Sequence, residues 1–335
     1  MGKLIDFEAY PVRITLPILL QDKTTKKNII WATDAYCEKG AGFQDKDQID
    51  MMAVKGFSSV DLRSRTEKAL EEQQERTRKK AEVFTPVWLC NKMNNYADEQ
   101  WFRQKDIFNF ENEAEHTWTV NENRVPFDEK RTWKAYVDSR RLEITCGEAP
   151  YLVSRYDATT GELILPPLRR IGMLDRKLRV VNENAQDNDD WLKWALRAFQ
   201  SCYGYEYQGD NLLIARINLI MTFEDYFRER MELDPDEKQL KQFANIIAWN
   251  IWQMDGLKDT VPLGKPHEEY HQMSIFDMFE EPEQGDVALP CKIKNWRSNE
   301  AALSVPLSIA RSITSPNSSK QTSSFTHSTS IPFTR

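Results

Sequence analysis

Alternating strand-like and helix-like apolar patterns predict an α/β fold with a mostly parallel sheet. Three observations carry that expectation. The chain has 335 residues, of which 40% are apolar, enough for a sizeable core. From Arg141 to Ile251 the apolar spacing switches repeatedly between the periods of strand and helix. Such alternation places parallel strands in one sheet and ligands at their carboxyl ends.

The elements follow in order. Arg141–Thr145 reads as a strand, Asp190–Cys202 as a helix with apolar positions at helical spacing, and Cys202–Glu206 as a second strand. Asn211–Met221 reads as a helix, and Phe243–Ile251 as a further buried element. Before them, residues 1–58 mix short apolar runs such as Ile14–Leu20 with Gly and Asp turns, which predicts a small α+β accessory region. Residues 59–81 are rich in Glu, Lys, Arg and Gln and lack Gly and Pro, which predicts a charged, solvated helix. Residues 82–300 form the main domain. Beyond it, residues 301–335 lose their apolar period; half of residues 308–335 are Ser or Thr, a composition that predicts disorder.

Charge and cysteine content narrow the function classes. A formal net charge of -7 repels a polyanion when spread evenly, so contact with DNA requires a local basic face or a basic partner. Five scattered cysteines without a C-x-x-C pair argue against a disulfide scaffold and a zinc ribbon, and fit a reducing cytoplasm. No apolar run reaches the roughly 18 residues of a membrane span, and Met1–Glu8 lack the order of a secretory signal.

Two segments could hold a nucleotide-like ligand. Glu143 to Leu152 supply a strand end, an acid, a Gly turn and an apolar exit, and Tyr203 to Glu206 supply a short strand ending in an acid. Small residues let a backbone approach a ligand, and an acid at the next strand end accepts hydrogen bonds from ribose hydroxyls. Neither piece is specific alone; their order is more telling.

In that order the sequence resembles the amino-methylating DNA methyltransferases, whose first motif is D-P-x-C-G-x-G-x-F-L. Glu143, Cys146, Gly147, Ala149, Tyr151 and Leu152 follow it position by position, with Glu143 for Asp, Ile144 for Pro and Ala149 for the second Gly. Glu82-Val83-Phe84-Thr85-Pro86 resembles the family's F-x-T-P or Y-T-P element. Glu206 followed by Leu213-Ile214-Ala215-Arg216-Ile217-Asn218-Leu219 is similar to its G-x-E strand and L-A-R-M-N-L helix, and Trp249 to Leu257 resemble its third motif. These pieces cover residues 82–257.

The resemblance implies a Rossmann-like, S-adenosylmethionine-dependent methyltransferase fold and adenine-N6 methylation of duplex DNA in a restriction-modification system. It places the cofactor on Phe84, Thr85, Pro86, Glu143, Cys146, Gly147, Tyr151 and Glu206, with Asp255 at the adenine and Asn250 as the alternative. The family's N-P-P-Y tetrapeptide, which accepts hydrogen bonds from the flipped base's amino group, is absent: Pro166-Pro167 is flanked by Leu165 and Leu168 and precedes Glu206. The catalytic part is therefore expected on another polypeptide, or lost through truncation or a frame change near residue 300. A specificity, catalytic or nuclease subunit is the implied partner, and a non-catalytic cofactor- or DNA-binding subunit is the competing class. His267-Glu268-Glu269-Tyr270-His271 fits the zinc-hydrolase pattern H-E-x-x-H, but it follows Gly264 and Pro266 without an apolar lead-in and reads as a polar loop.

Overall fold

The computed structural model describes residues 4–55, 60, 62, 64, 85–157, 159–264, 289–298 and 300–303. Its centre is a three-stranded, wholly parallel sheet in the order β3-β4-β5. These strands are β3 (Arg141–Glu143), β4 (Cys202–Glu206) and β5 (Ile251–Gln253), with Glu143 beside Gly204 and Glu206 beside Gln253. β4 lies between the other two and is buried along its whole length.

Helices fill the crossovers that parallel strands require. Between β3 and β4 run α5 (Met173–Asn184) and α6 (Asn188–Gln200). The Asp187 side chain caps α6 by accepting from Asp190 N, with Asp189 and Asp190 in its first turn and Arg197 in its last, as the helix dipole favours. Trp191, Ala195, Ala198 and Phe199 place its apolar stripe in the core. Between β4 and β5 run α7 (Gly209–Met231) and α8 (Glu237–Asn250). Asp236 and Gln239 form a reciprocal capping box at the start of α8.

α7 extends far beyond the expected Asn211–Met221. Nearly all of it through Phe227 is buried, so it is enclosed on all sides and has no amphipathic period by which its length could be read. The strand expected over Arg141–Thr145 ends at Glu143 because Thr145 turns into the left-handed region, with φ 47°. The element expected over Phe243–Ile251 is the end of α8 followed directly by β5.

Residues 4–55 share this core. α1 (Val12–Leu19) packs on α8 and α7, with Leu16 and Leu19 fully buried. A short helix, α2 (Met51–Lys55), follows. Val60, Leu62 and Ser64 are buried and non-helical, so the solvated helix expected from residue 59 does not begin there; residues 65–84 lie outside the described residues. The remaining elements are α3 (Val87–Phe102), α4 (Trp133–Asp138) and two antiparallel pairs. One pair is β1 (Asn109–Asn112) with β2 (Thr117–Val120), the other β6 (Lys292–Asn295) with β7 (Glu300–Leu303). The tail expected to be disordered from residue 301 instead starts within β7, where Ala301, Ala302 and Leu303 pair with β6; residues 304–335 and the His267–His271 segment lie outside the described residues. Among the described residues no helix is long and apolar enough to cross a membrane.

Candidate cofactor site at the carboxyl end of the sheet

The site is built where β3 and β4 end. Beyond β3 the chain makes a tight loop in which Thr145, Gly147 and Ala149 have φ of 47°, 52° and 66°. Cys146 N donates to Tyr205 O at 2.8 Å, extending the β3–β4 ladder by one bond. The next amide, Gly147 N, donates to Glu206 Oε2 at 2.8 Å. Glu206 Oε1 accepts from Gln208 N at 3.1 Å. The acid at the end of the central strand and the glycine of the loop are therefore in direct contact.

Glu143 holds the far side of the loop, its two carboxylate oxygens accepting from Tyr151 N at 3.2 Å and Leu152 N at 3.0 Å. Burial pushes the Glu143 carboxyl up to about 8, against the pull of those two amides; the nearby Glu206 charge adds to the rise. Burial likewise raises Glu206, opposed by the Gly147, Gln208 and Tyr207 amides. Among the described residues neither carboxylate forms an ion pair. Their partners are main-chain amides, which leave some of the carboxyl lone pairs unused.

Ala149 is fully buried in the left-handed conformation. A β-carbon in that conformation costs roughly 1–2 kcal/mol, which glycine would avoid. Cys146 backs the loop from inside: it is buried, and a β-carbon added to Gly204 would stand 3.3 Å from its Sγ. Burial pushes its thiol well up, so it acts as a small apolar filler.

α7 clamps the loop through Asn218, whose Nδ2 donates to Glu148 O at 3.1 Å and to the Tyr156 hydroxyl at 3.0 Å. Tyr156 in turn donates to Glu148 Oε2 at 2.6 Å. Two residues earlier, the fully buried Arg216 donates to Ile251 O, Leu19 O and Gln21 O at 2.7, 2.5 and 2.9 Å. It joins β5 to the N-terminal region. Both lie in the Leu213–Leu219 segment singled out in the sequence, which assigned neither of them a role; each is a polar residue inside an apolar helix.

Thr85 and Pro86 open α3, and the Thr85 side chain is hydrogen-bonded to that of Tyr151. Asn94 of α3 donates to Tyr151 O at 3.0 Å and Ile171 O at 2.9 Å, fixing the loop's exit. Thr85, Tyr151 and Glu143 are thus linked at the loop's exit, and Gly147 and Glu206 at its start. Phe84 lies outside the described residues.

The two alternatives for the adenine end separate cleanly. Asn250 precedes β5, at the amino end of the sheet, where its Nδ2 donates to Phe199 O and Cys202 O and its Oδ1 accepts from Trp296 Nε1 at 2.7 Å. It is removed from the loop by the length of the strand and is saturated, which removes it from the candidate set. Asp255 lies two residues beyond β5, at the carboxyl end. Its Oδ1 accepts from Leu257 N at 3.0 Å and Lys258 N at 3.3 Å, and its Oδ2 is 3.6 Å from Lys258 Nζ. Burial and then the Asp255 charge raise the Tyr207 hydroxyl.

Protein-family models, curated proteins and solved structures give no match to the chain. The site therefore stands on its own chemistry. Two large apolar side chains, Ile144 (62% exposed) and Leu257 (98% exposed), flank the sheet's carboxyl end. Gly147, Tyr207 and Asp255 are half-buried. The site thus combines a left-handed glycine turn, a buried acid held by the Gly147 and Gln208 amides, and exposed apolar side chains. Among the described residues no group of three His, Cys, Asp or Glu side chains could hold a metal ion.

Proposed function

We propose that this chain is the S-adenosylmethionine-binding subunit of an adenine-N6 DNA methyltransferase of a restriction-modification system, working on duplex DNA in the cytoplasm. The observation that carries the reading is the Gly147–Glu206 contact at the end of the central parallel strand. Ligands of open α/β sheets bind at the carboxyl ends of the strands, with an acid on the ribose. Glu206 accepts the ribose hydroxyls through the lone pairs that Gly147 N and Gln208 N leave free. Gly147, lacking a β-carbon, allows close approach of the ligand to the loop backbone. Asp255 orients the adenine edge, and Thr85 with Tyr151 borders the amino-acid end. The bound cofactor supplies an electrophilic methyl group.

A partner polypeptide completes the enzyme in this reading. It provides the aromatic and acceptor groups that hold a flipped adenine, because Leu165-Pro166-Pro167-Leu168 offers neither. The second reading, a subunit that binds cofactor without catalysing transfer, is favoured by that same missing tetrapeptide. A methyl-transfer assay with labelled S-adenosylmethionine and adenine-containing duplex DNA separates the two. Transfer by the chain only in the presence of neighbouring gene products supports the enzyme subunit; cofactor binding without transfer under any combination supports the second reading. Absence of cofactor binding overturns both.

A further inference from the structure

A second concave site lies beside the turn that follows α1. Its cavity, of about 870 Å³, is lined by Lys23, Lys26, Lys27, Lys292 and Trp249 together with Asp22 and neutral polar groups. Four lysines face one acid in a chain whose formal net charge is -7. That acid is already engaged: Asp22 is buried, and its carboxylate accepts from Thr24 N at 3.1 Å and Thr25 N at 3.0 Å. Among the described residues none of the four lysines forms an ion pair, and Lys26 and Lys27 are exposed.

The lysines are held in place by the backbone. Asp22 N donates to Lys27 O at 2.7 Å and Lys26 N to Asp22 O at 2.9 Å, closing a turn that presents Lys23, Lys26 and Lys27 together. Lys292 N donates to Thr24 Oγ1 at 3.0 Å and ties β6 to that turn. Arg216 reaches the floor of the turn at Gln21 O, adding a fifth positive charge behind it. Trp249 is half-buried at the end of α8, with Lys294 Nζ 5.8 Å from its ring.

We propose that this groove binds a single-stranded nucleic-acid segment, its phosphates on Lys23, Lys26, Lys27 and Lys292 and one base against Trp249. Clustered ammonium groups are point charges suited to phosphate, and one aromatic ring among them suits an unpaired base, whereas a paired base keeps its faces inside the stack. The assignment does not rest on the methyl-donor reading. Asn250, the neighbour of Trp249, lies at the amino end of the sheet, and Glu206 lies at the carboxyl end.

The test is fluorescence anisotropy with a labelled oligothymidylate of about 12 nucleotides and the full chain, over a range of salt concentrations. Replacing Lys23, Lys26, Lys27 and Lys292 together by Gln should weaken binding at least tenfold. The same change should flatten the log-affinity against log-salt slope by about 3, because each phosphate neutralised on a single strand contributes roughly 0.7. Trp249→Leu should weaken the single strand more than the matching duplex, while Lys134→Gln with Lys193→Gln, on another face, should change neither. Unchanged affinity and slope in the fourfold variant would overturn the proposal. So would displacement of the oligonucleotide by an equal concentration of inorganic triphosphate, which would mark a small-anion pocket. Calorimetry with S-adenosylmethionine on the fourfold variant keeps the two sites distinct, because cofactor binding there should equal that of the unaltered chain.

Discussion

Two groups of buried carboxylates behave in opposite ways. Asp98, in α3, accepts from Arg176 at 2.7 Å, from Arg141 at 3.0 Å and from the Tyr136 hydroxyl at 3.0 Å. Arg176 continues the network to the Asn91 and Asn95 side chains at 2.9 and 2.6 Å. Every strong acceptor there meets a cation or a hydroxyl from the same chain, and the result is a cross-link between α3, α5 and β3. Glu143 and Glu206, at the end of the sheet, have only backbone amides. A buried carboxyl without a cation is costly to ionise. The first group holds the structure together; in the proposed function the second keeps acceptor capacity for a ligand.

That contrast can be broken first at its structural pole. Arg176→Met should destabilise the chain by about 3–5 kcal/mol, because it leaves Asp98 short of its closest cation inside the core. Urea denaturation measures the change, and a value below about 1 kcal/mol would mean that Arg141 alone suffices.

The second test addresses pH. Folded Glu143 keeps its proton up to about 8, against an ordinary value of 4.5. Its contribution is therefore fully present below the ordinary value. It then falls as pH rises toward 8, at about 1.4 kcal/mol per pH unit from this group. Glu143→Gln cannot titrate and should show a flatter decline between pH 5 and 8 in denaturation midpoints. An identical slope in the two proteins would contradict the assignment of a raised carboxyl to Glu143.

The smallest effect concerns the loop. Ala149→Gly removes the left-handed strain and one buried methyl, for a net gain of about 0.5–1 kcal/mol. Thermal denaturation should show a modest rise in midpoint; a fall would mean that the methyl's packing outweighs the strain.

The central strand was legible in the sequence because Cys202–Glu206 is a short apolar and aromatic run ending in an acid, bounded by polar residues. α6 was legible within two residues at each end, since Trp191, Ala195, Ala198 and Phe199 keep a helical period. The boundary at Asn250 was not, because no Gly or Pro separates α8 from β5. The break is made by the Asn250 side chain, whose bonds to Phe199 O and Cys202 O form only in the fold. Arg216 has the same character. Its partners Leu19 and Gln21 are nearly two hundred residues away in the chain, and a guanidinium in an apolar helix reveals nothing of them until the chain is folded. The Glu143–Leu152 loop was legible as a turn, but its lock onto Glu206 depends on β3 and β4 being parallel neighbours. The lysine groove was wholly hidden, because Lys23, Lys26 and Lys27 are separated from Lys292 by most of the chain.

Isothermal titration calorimetry of S-adenosylmethionine into the full chain and into Glu206→Gln tests the central claim most directly. Saturable one-to-one binding by the unaltered chain, weakened by about tenfold or more in the variant as a charge-assisted hydrogen bond of about 1.5–3 kcal/mol is removed, is the expected result. Equal binding by both proteins, or heat from neither, would contradict the assignment of Glu206 as the ribose acceptor.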